Sequence, residues 1–92
     1  MSNKYFQDPE ERLGYSWDWS DWLADVSDTI ESATVTVPEG LTAVEPYVVV
    51  GNFVTQRVSG GTVDDTYKMV CKVVTAGGLI VKEPIYVTVR EK

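Results

Sequence analysis

The chain contains no histidine, so the commonest general base and the commonest neutral-pH metal ligand are both missing. It has one cysteine, Cys71, which cannot form an internal disulfide and has no histidine partner to make it a nucleophile. Basic residues are scarce: 8 against 14 acidic ones, a formal charge of −6. That balance speaks against direct contact with nucleic acid or an anionic membrane, which both attract lysine and arginine clusters. Apolar runs are only a few residues long, too short to cross a bilayer as a helix. The first ten residues lack a basic patch leading into an apolar core, so no signal peptide is expected. No internal repeat is evident.

What remains is 92 residues of ordinary hydrophobic content, 43%, enough for one domain with one modest core. Its dominant stretch is 66–89, which reads as a long β-hairpin. Alternate side chains fall on opposite faces of a strand. A three-residue loop, Ala76-Gly77-Gly78, sets Thr75 opposite Leu79, Val73 opposite Val81, Met69 opposite Ile85 and Tyr67 opposite Val87. That face is apolar except where Cys71 meets Glu83. A two-residue Gly77-Gly78 turn would set Val73 against Lys82, so the longer loop, a type I turn closed by a left-handed glycine, is preferred. Pro84 cannot donate to a ladder and marks an edge or a bulge.

Upstream, residues 1–12 read as an arm bearing Tyr5 and Phe6, ending in a helix-start signal, Asp8-Pro9-Glu10-Glu11, that has room for only one turn. Tyr15–Trp19 alternates aromatic and polar residues, as a half-buried strand does. Ser20 is placed to cap a short helical turn, with Trp22 and Leu23 packing back. Residues 29–37 form a β-branched strand with Ala33, Val35 and Val37 on one face and a bulge near Glu31-Ser32. Val37-Pro38-Glu39-Gly40 suits a type I turn. Pro46 divides 41–50 into two short strands, and Phe53–Val58 is another, with Val54 and Val58 opposite Phe53, Thr55 and Arg57. Turns recur every eight to twelve residues, the spacing of a β-sandwich. Tyr67 stands two residues before inward-facing Met69, at the start of the penultimate strand. An immunoglobulin-type sandwich places its corner tyrosine there. The expected fold is therefore all-β: a small immunoglobulin-like antiparallel sandwich over 13–92, preceded by an arm over 1–12.

The candidate chemistry is thin. Asp18, Asp21, Asp25 and Asp28 invite a hard cation, but no Asp-x-Asp-x-Asp-Gly loop or partnering glutamate accompanies them, and a solvated acidic edge fits better. Trp17, Trp19 and Trp22 have three readings: core, a sugar-stacking platform, or a protein anchor, with core favoured. The Gly-Gly pairs lack the Lys-Ser or Lys-Thr of a phosphate loop. No catalytic set, cofactor site or metal site is expected.

Several blocks in order carry a family likeness: Asp8-Pro9-Glu10, Leu13 and Tyr15; Trp17-Asp18-Trp19-Ser20-Asp21-Trp22-Leu23-Ala24; Asp28-Thr29-Ile30; Val35-Thr36-Val37-Pro38-Glu39-Gly40-Leu41; Ser59-Gly60-Gly61-Thr62; Tyr67; and Thr75-Ala76-Gly77-Gly78. In these the chain resembles the phage fibre–tail adaptor proteins, small structural proteins of tailed bacteriophages. The resemblance implies a non-enzymatic virion component at the tail or head-to-tail region, assembled in the bacterial host cytoplasm. Its implied partners are portal or adaptor, tail or fibre subunits and copies of itself. On that reading the candidate interface is Tyr5, Phe6 and Pro9 of the arm, Trp22, and the outward hairpin residues Val70, Val74, Ile80 and Tyr86. Removal of 1–12 is expected to leave the fold intact. The competing expectation is an immunoglobulin-like adhesin or carbohydrate-binding module that uses surface tryptophans.

Overall fold

The computed structural model describes residues 3–92. In chain order the elements are β1 (Lys4–Gln7), β2 (Arg12–Asp18), α1 (Ser20–Val26), β3 (Ile30–Thr36), β4 (Leu41–Ala43), β5 (Val48–Val50), β6 (Phe53–Gly60), β7 (Thr66–Thr75) and β8 (Ile80–Val89). The hairpin β7–β8 has the register argued from its side chains: Tyr67 faces Val87, Met69 faces Ile85, Cys71 faces Glu83 and Val73 faces Val81. Thr75 N–H donates to the Leu79 carbonyl, and Gly78 closes the loop at φ +92°, a conformation glycine adopts without a Cβ clash.

Two sheets pack face to face. One has the order β1-β8-β7-β3; the other has β2-β6-β4, with β5 also paired to β6. In immunoglobulin terms β2, β6 and β4 stand where strands B, E and D stand, and β3, β7 and β8 where C, F and G stand. The core between the sheets takes the odd positions of the hairpin, among them Met69, Val73, Val87 and Val89. These meet Tyr15 and Trp17 of β2 and Val54 and Val58 of β6. Met69 has no solvent exposure and stands in place of the cysteine of antibody domains, so apolar packing holds the layers together. The corner tyrosine is present: the Tyr67 hydroxyl accepts the Thr62 N–H at 2.8 Å. Gly40, at φ +103°, lies under the Tyr67 ring, where a Cβ would come within 2.6 Å of Cε1.

Four local expectations change. Residues 4–7 are not an arm but β1, an edge strand of the first sheet. β1 runs parallel to β8, pairing Lys4 with Tyr86 through Gln7 with Val89, so the sandwich is antiparallel except at this edge. The arm reading fails because Gln7 is fully buried and its amide is consumed inside the domain. Its Nε2 donates to the Glu11 and Val58 carbonyls, and its Oε1 accepts the Tyr15 hydroxyl. Residues 1–12 thus hold an edge strand and a buried amide bonded into the domain; residues 1 and 2 of that stretch lie outside the described residues. Second, the turn after β3 starts one residue later: Leu41 N–H donates to the Pro38 carbonyl, putting Gly40 third with positive φ, as a type II turn requires. Third, Ser20 does not cap α1. Trp19 is the N-cap, and the Asp18 carboxylate instead accepts the Ser20 N–H at 2.9 Å. Fourth, the helix is two turns rather than one, with Leu23 buried beneath it.

The bulge between Ile30 and Ser32, the division of 41–50 into two strands and the inward Ala33 and Val35 all appear as expected. So does the role of Pro84. Tyr86 N–H donates to the Asn3 carbonyl and Arg90 N–H to that of Gln7, so even positions of β8 turn toward β1. Pro84, which has no N–H, falls where β1 has ended.

Candidate protein interface

Strand alternation sorts the expected interface residues into three places. The first is the outer face of the β1-β8-β7-β3 sheet. Even positions of β7 and β8 point away from the core, and β1 adds Phe6. Phe6 and Ile80 are 55% and 63% exposed; Val70, Val74, Pro84 and Tyr86 are half-buried among their neighbours. The Arg90 guanidinium lies over the Phe6 ring at 4.8 Å, a cation–π contact.

The second place is the seam between β8 and the β2–α1 corner. Here an open groove is lined by Tyr5, Trp17, Trp22, Asp18, Asp21 and Glu83. Tyr5 turns toward the sandwich and tilts against Tyr15 at 5.1 Å between ring centres. Trp22 meets Trp19 edge-on at 6.0 Å. The third place is the turn carrying Pro9, clasped by its own side chains and by the C-terminal residue. Asp8 accepts the Glu10 and Lys92 N–H groups, and the Lys92 ammonium reaches Glu11 at 2.8 Å. These contacts hold the Asp8 and Glu11 carboxyls below their ordinary range, the Lys92 bonds being the largest cause for each.

The sugar-platform reading loses its geometry. Trp17 and Trp19 are 5% and 4% exposed, and the Trp17 indole donates to the Glu83 carbonyl at 3.0 Å. Their rings fill the core and offer no face for a pyranose to stack on, leaving only Trp22 half-exposed. Of the four spaced aspartates, Asp18 holds the start of α1, and Asp28 accepts N–H groups from Thr29 and Gly77. Among the described residues no three His, Cys, Asp or Glu side chains converge on a metal position. Burial pushes the Cys71 thiol up to about 11, keeping it protonated. The Trp19 indole opposes that shift without completing a hydrogen bond, for its Nε1 is buried and unpartnered. Burial, with Glu11 and Tyr5 nearby, likewise pushes Tyr15 up to about 12, fixing its hydroxyl as the donor to Gln7.

With surfaces rather than a reaction centre on view, the comparison with known families is decisive. The family model described as "Podophage GP4 fiber-tail adaptor protein gp77" matches residues 7–88. The chain belongs to this family of phage fibre–tail adaptors. Among curated proteins none matches. The chain is thus a structural component of a bacteriophage tail, built as a small β-sandwich. The outer sheet face gathers Phe6, Val70, Val74, Ile80 and Tyr86, while Tyr5, Trp22 and Pro9 lie elsewhere. Sequence reasoning missed Pro84 on that face and the lysines between its apolar residues. The signal was there, because Lys68, Lys72 and Lys82 share the even phase of Val70, Val74 and Ile80.

Proposed function

We propose that this protein is a non-enzymatic adaptor in the virion of a tailed bacteriophage. It sits at the tail or head-to-tail region and links a ring or tail component to fibres or neighbouring subunits. The observation that carries this reading is the fibre–tail adaptor match across residues 7–88. The fold supports it. Cys71 is buried, and Asp18 and Asp28 hold backbone N–H groups. Several exposed apolar side chains, among them Phe6, Val50, Phe53 and Ile80, lie on strands, as contact surfaces do. Its partners are other virion proteins, portal, tail or fibre subunits, together with copies of itself, with no direct contact to nucleic acid or membrane. Force passes through a rigid wedge of two sheets. β1 belongs to that wedge, so contact is made by its faces rather than by a reaching arm.

The test is genetic and compositional. Particles made without this gene are purified beside the parent and their proteins quantified by mass spectrometry. The proposal expects the chain in parent particles, and fibre protein depleted from particles that lack it. Full fibre content without the chain would overturn it.

A further inference from the structure

The charges of this acidic chain are segregated. The outward positions of β1, β3, β7 and β8 carry Lys4, Lys68, Lys72 and Lys82 and no Asp or Glu. The two acids in these strands are Glu31, in the β3 bulge at the far edge of the sheet, and Glu83, in the opposite phase of β8 where it faces Cys71. The rest of the molecule therefore holds almost all of the 14 acidic residues with only half of the 8 basic ones. Lys72 and Lys82 stand directly opposite each other across β7 and β8, and both are exposed. Like charges in that position repel, where one acid in place of either lysine would attract. Among the described residues, Lys68, Lys72 and Lys82 form no ion pair, whereas Arg57 pairs with Glu45 and Lys92 with Glu11. Lysine is often placed on sheets to protect an open edge. Lys68 and Lys72 are on β7, with β8 and β3 on either side, so edge protection does not account for them. The lysines also surround exposed apolar groups, Phe6 and Ile80 chief among them.

We propose that this face docks on the carboxylate-bearing surface of a second copy of the chain. An apolar centre framed by the unpaired ammonium groups of Lys68, Lys72 and Lys82 fits a protein surface that offers carboxylates around apolar side chains. Duplex DNA is the poorer match. Its one arginine, Arg90, lies over the Phe6 ring, its centre is apolar, and the molecule as a whole is negative. A second copy supplies the complementary charge by construction. The two faces cannot be the same patch, since lysine would then meet lysine, so the contact is head-to-tail and generates a ring or an open chain. The face spans about 33 Å along the strands and about 15 Å across them, on the order of 500 Å². That is below the roughly 800 Å² per partner of stable pairs, so a single contact is reversible and persists through closure of the assembly.

This inference deepens the self-contact part of the proposed function, but its test needs only the purified chain and can fail without touching the virion assignment. Sedimentation equilibrium compares the parent with Lys72→Glu/Lys82→Glu and with Arg12→Glu/Arg57→Glu, which moves the net charge equally, from −6 to −10, on the other sheet. The parent is expected to self-associate, the lysine variant to do so at least about tenfold more weakly, and the arginine variant within about threefold of the parent. Lys72→Gln/Lys82→Gln gives the same reading without added repulsion if the double reversal fails to fold. In an equal mixture of unlabelled and heavy-isotope chains, zero-length carbodiimide coupling should join Lys68, Lys72 or Lys82 of one isotope to Asp or Glu of the other. A parent that stays monomeric to millimolar concentration overturns the proposal. So does equal weakening of both reversals, absence of mixed-isotope links from these lysines, or duplex DNA binding that the lysine variant loses.

Discussion

Gln7 is the residue whose replacement tests most sharply whether β1 belongs to the domain. Its side chain has no solvent exposure and makes three hydrogen bonds, to the Glu11 carbonyl at 2.9 Å, the Val58 carbonyl at 3.1 Å and the Tyr15 hydroxyl at 2.8 Å. One amide thereby ties β1 to the following turn, to β2 and to β6. Gln7→Leu keeps the volume and deletes all three bonds. At about 1 kcal/mol for each net bond the loss is about 3 kcal/mol. The buried Tyr15 hydroxyl, left without its acceptor, adds about 1 kcal/mol or more. The greater hydrophobicity of leucine returns about 1 kcal/mol. The expected cost is therefore about 3 kcal/mol, a large share of the roughly 5–14 kcal/mol available to a domain of this length. Thermal unfolding should fall by about 12–20 °C, and the urea midpoint should shift with little change in slope. Adding Tyr15→Phe should recover about 1 kcal/mol, because the orphaned hydroxyl is gone. A loss under about 1 kcal/mol for Gln7→Leu would refute the reasoning and return residues 1–12 to the status of a dispensable arm.

Three further outcomes are expected. Tyr67→Phe, which leaves the Thr62 N–H without its acceptor, should cost about 1 kcal/mol in urea unfolding and leave the circular-dichroism spectrum unchanged. The Asp28 carboxyl, held below its usual 3.8 chiefly by the Thr75 hydroxyl and then by the Thr29 and Gly77 N–H groups, stabilises the domain fully above that value and loses its contribution as pH falls through the lower folded value. Asp28→Asn should therefore be less stable than the parent at neutral pH, with the gap shrinking below pH 3.8 in acid titrations followed by tryptophan fluorescence. Cys71, buried and with its thiol raised to about 11, should resist iodoacetamide in the folded protein and react fully in urea; rapid labelling without denaturant would contradict its place in the core.

The hairpin was legible because its two arms are long enough for alternation to choose one register. The alternative two-residue turn would have set Lys82 against Val73, whereas the longer loop keeps Val73, Met69 and Ile85 on one apolar face. Tyr67 was legible for a related reason: the corner tyrosine has a fixed offset from an inward residue. β1 was illegible because four residues carry too little periodicity, and its partner, β8, lies at the other end of the chain. Its decisive residue is a buried polar one, Gln7, which pattern reading assigns to the surface. The N-cap of α1 was misplaced by one residue: Asp18 and Ser20 are both good cap residues, but the cap position is the buried Trp19 between them. At the candidate interface the apolar residues of the outer face were legible from their phase. The lysines were not singled out, although the expected register that sets Val73 against Val81 also sets Lys72 against Lys82.

The account turns on this chain being a mechanical part of the phage tail. Image reconstruction of purified particles at side-chain resolution tests that directly. The account predicts density for the two-sheet wedge, recognisable by the parallel β1–β8 edge and the Trp17–Trp19–Trp22 corner, between the tail and its fibres. A fully resolved tail–fibre junction with no such domain, in particles whose fibres are attached, would contradict it.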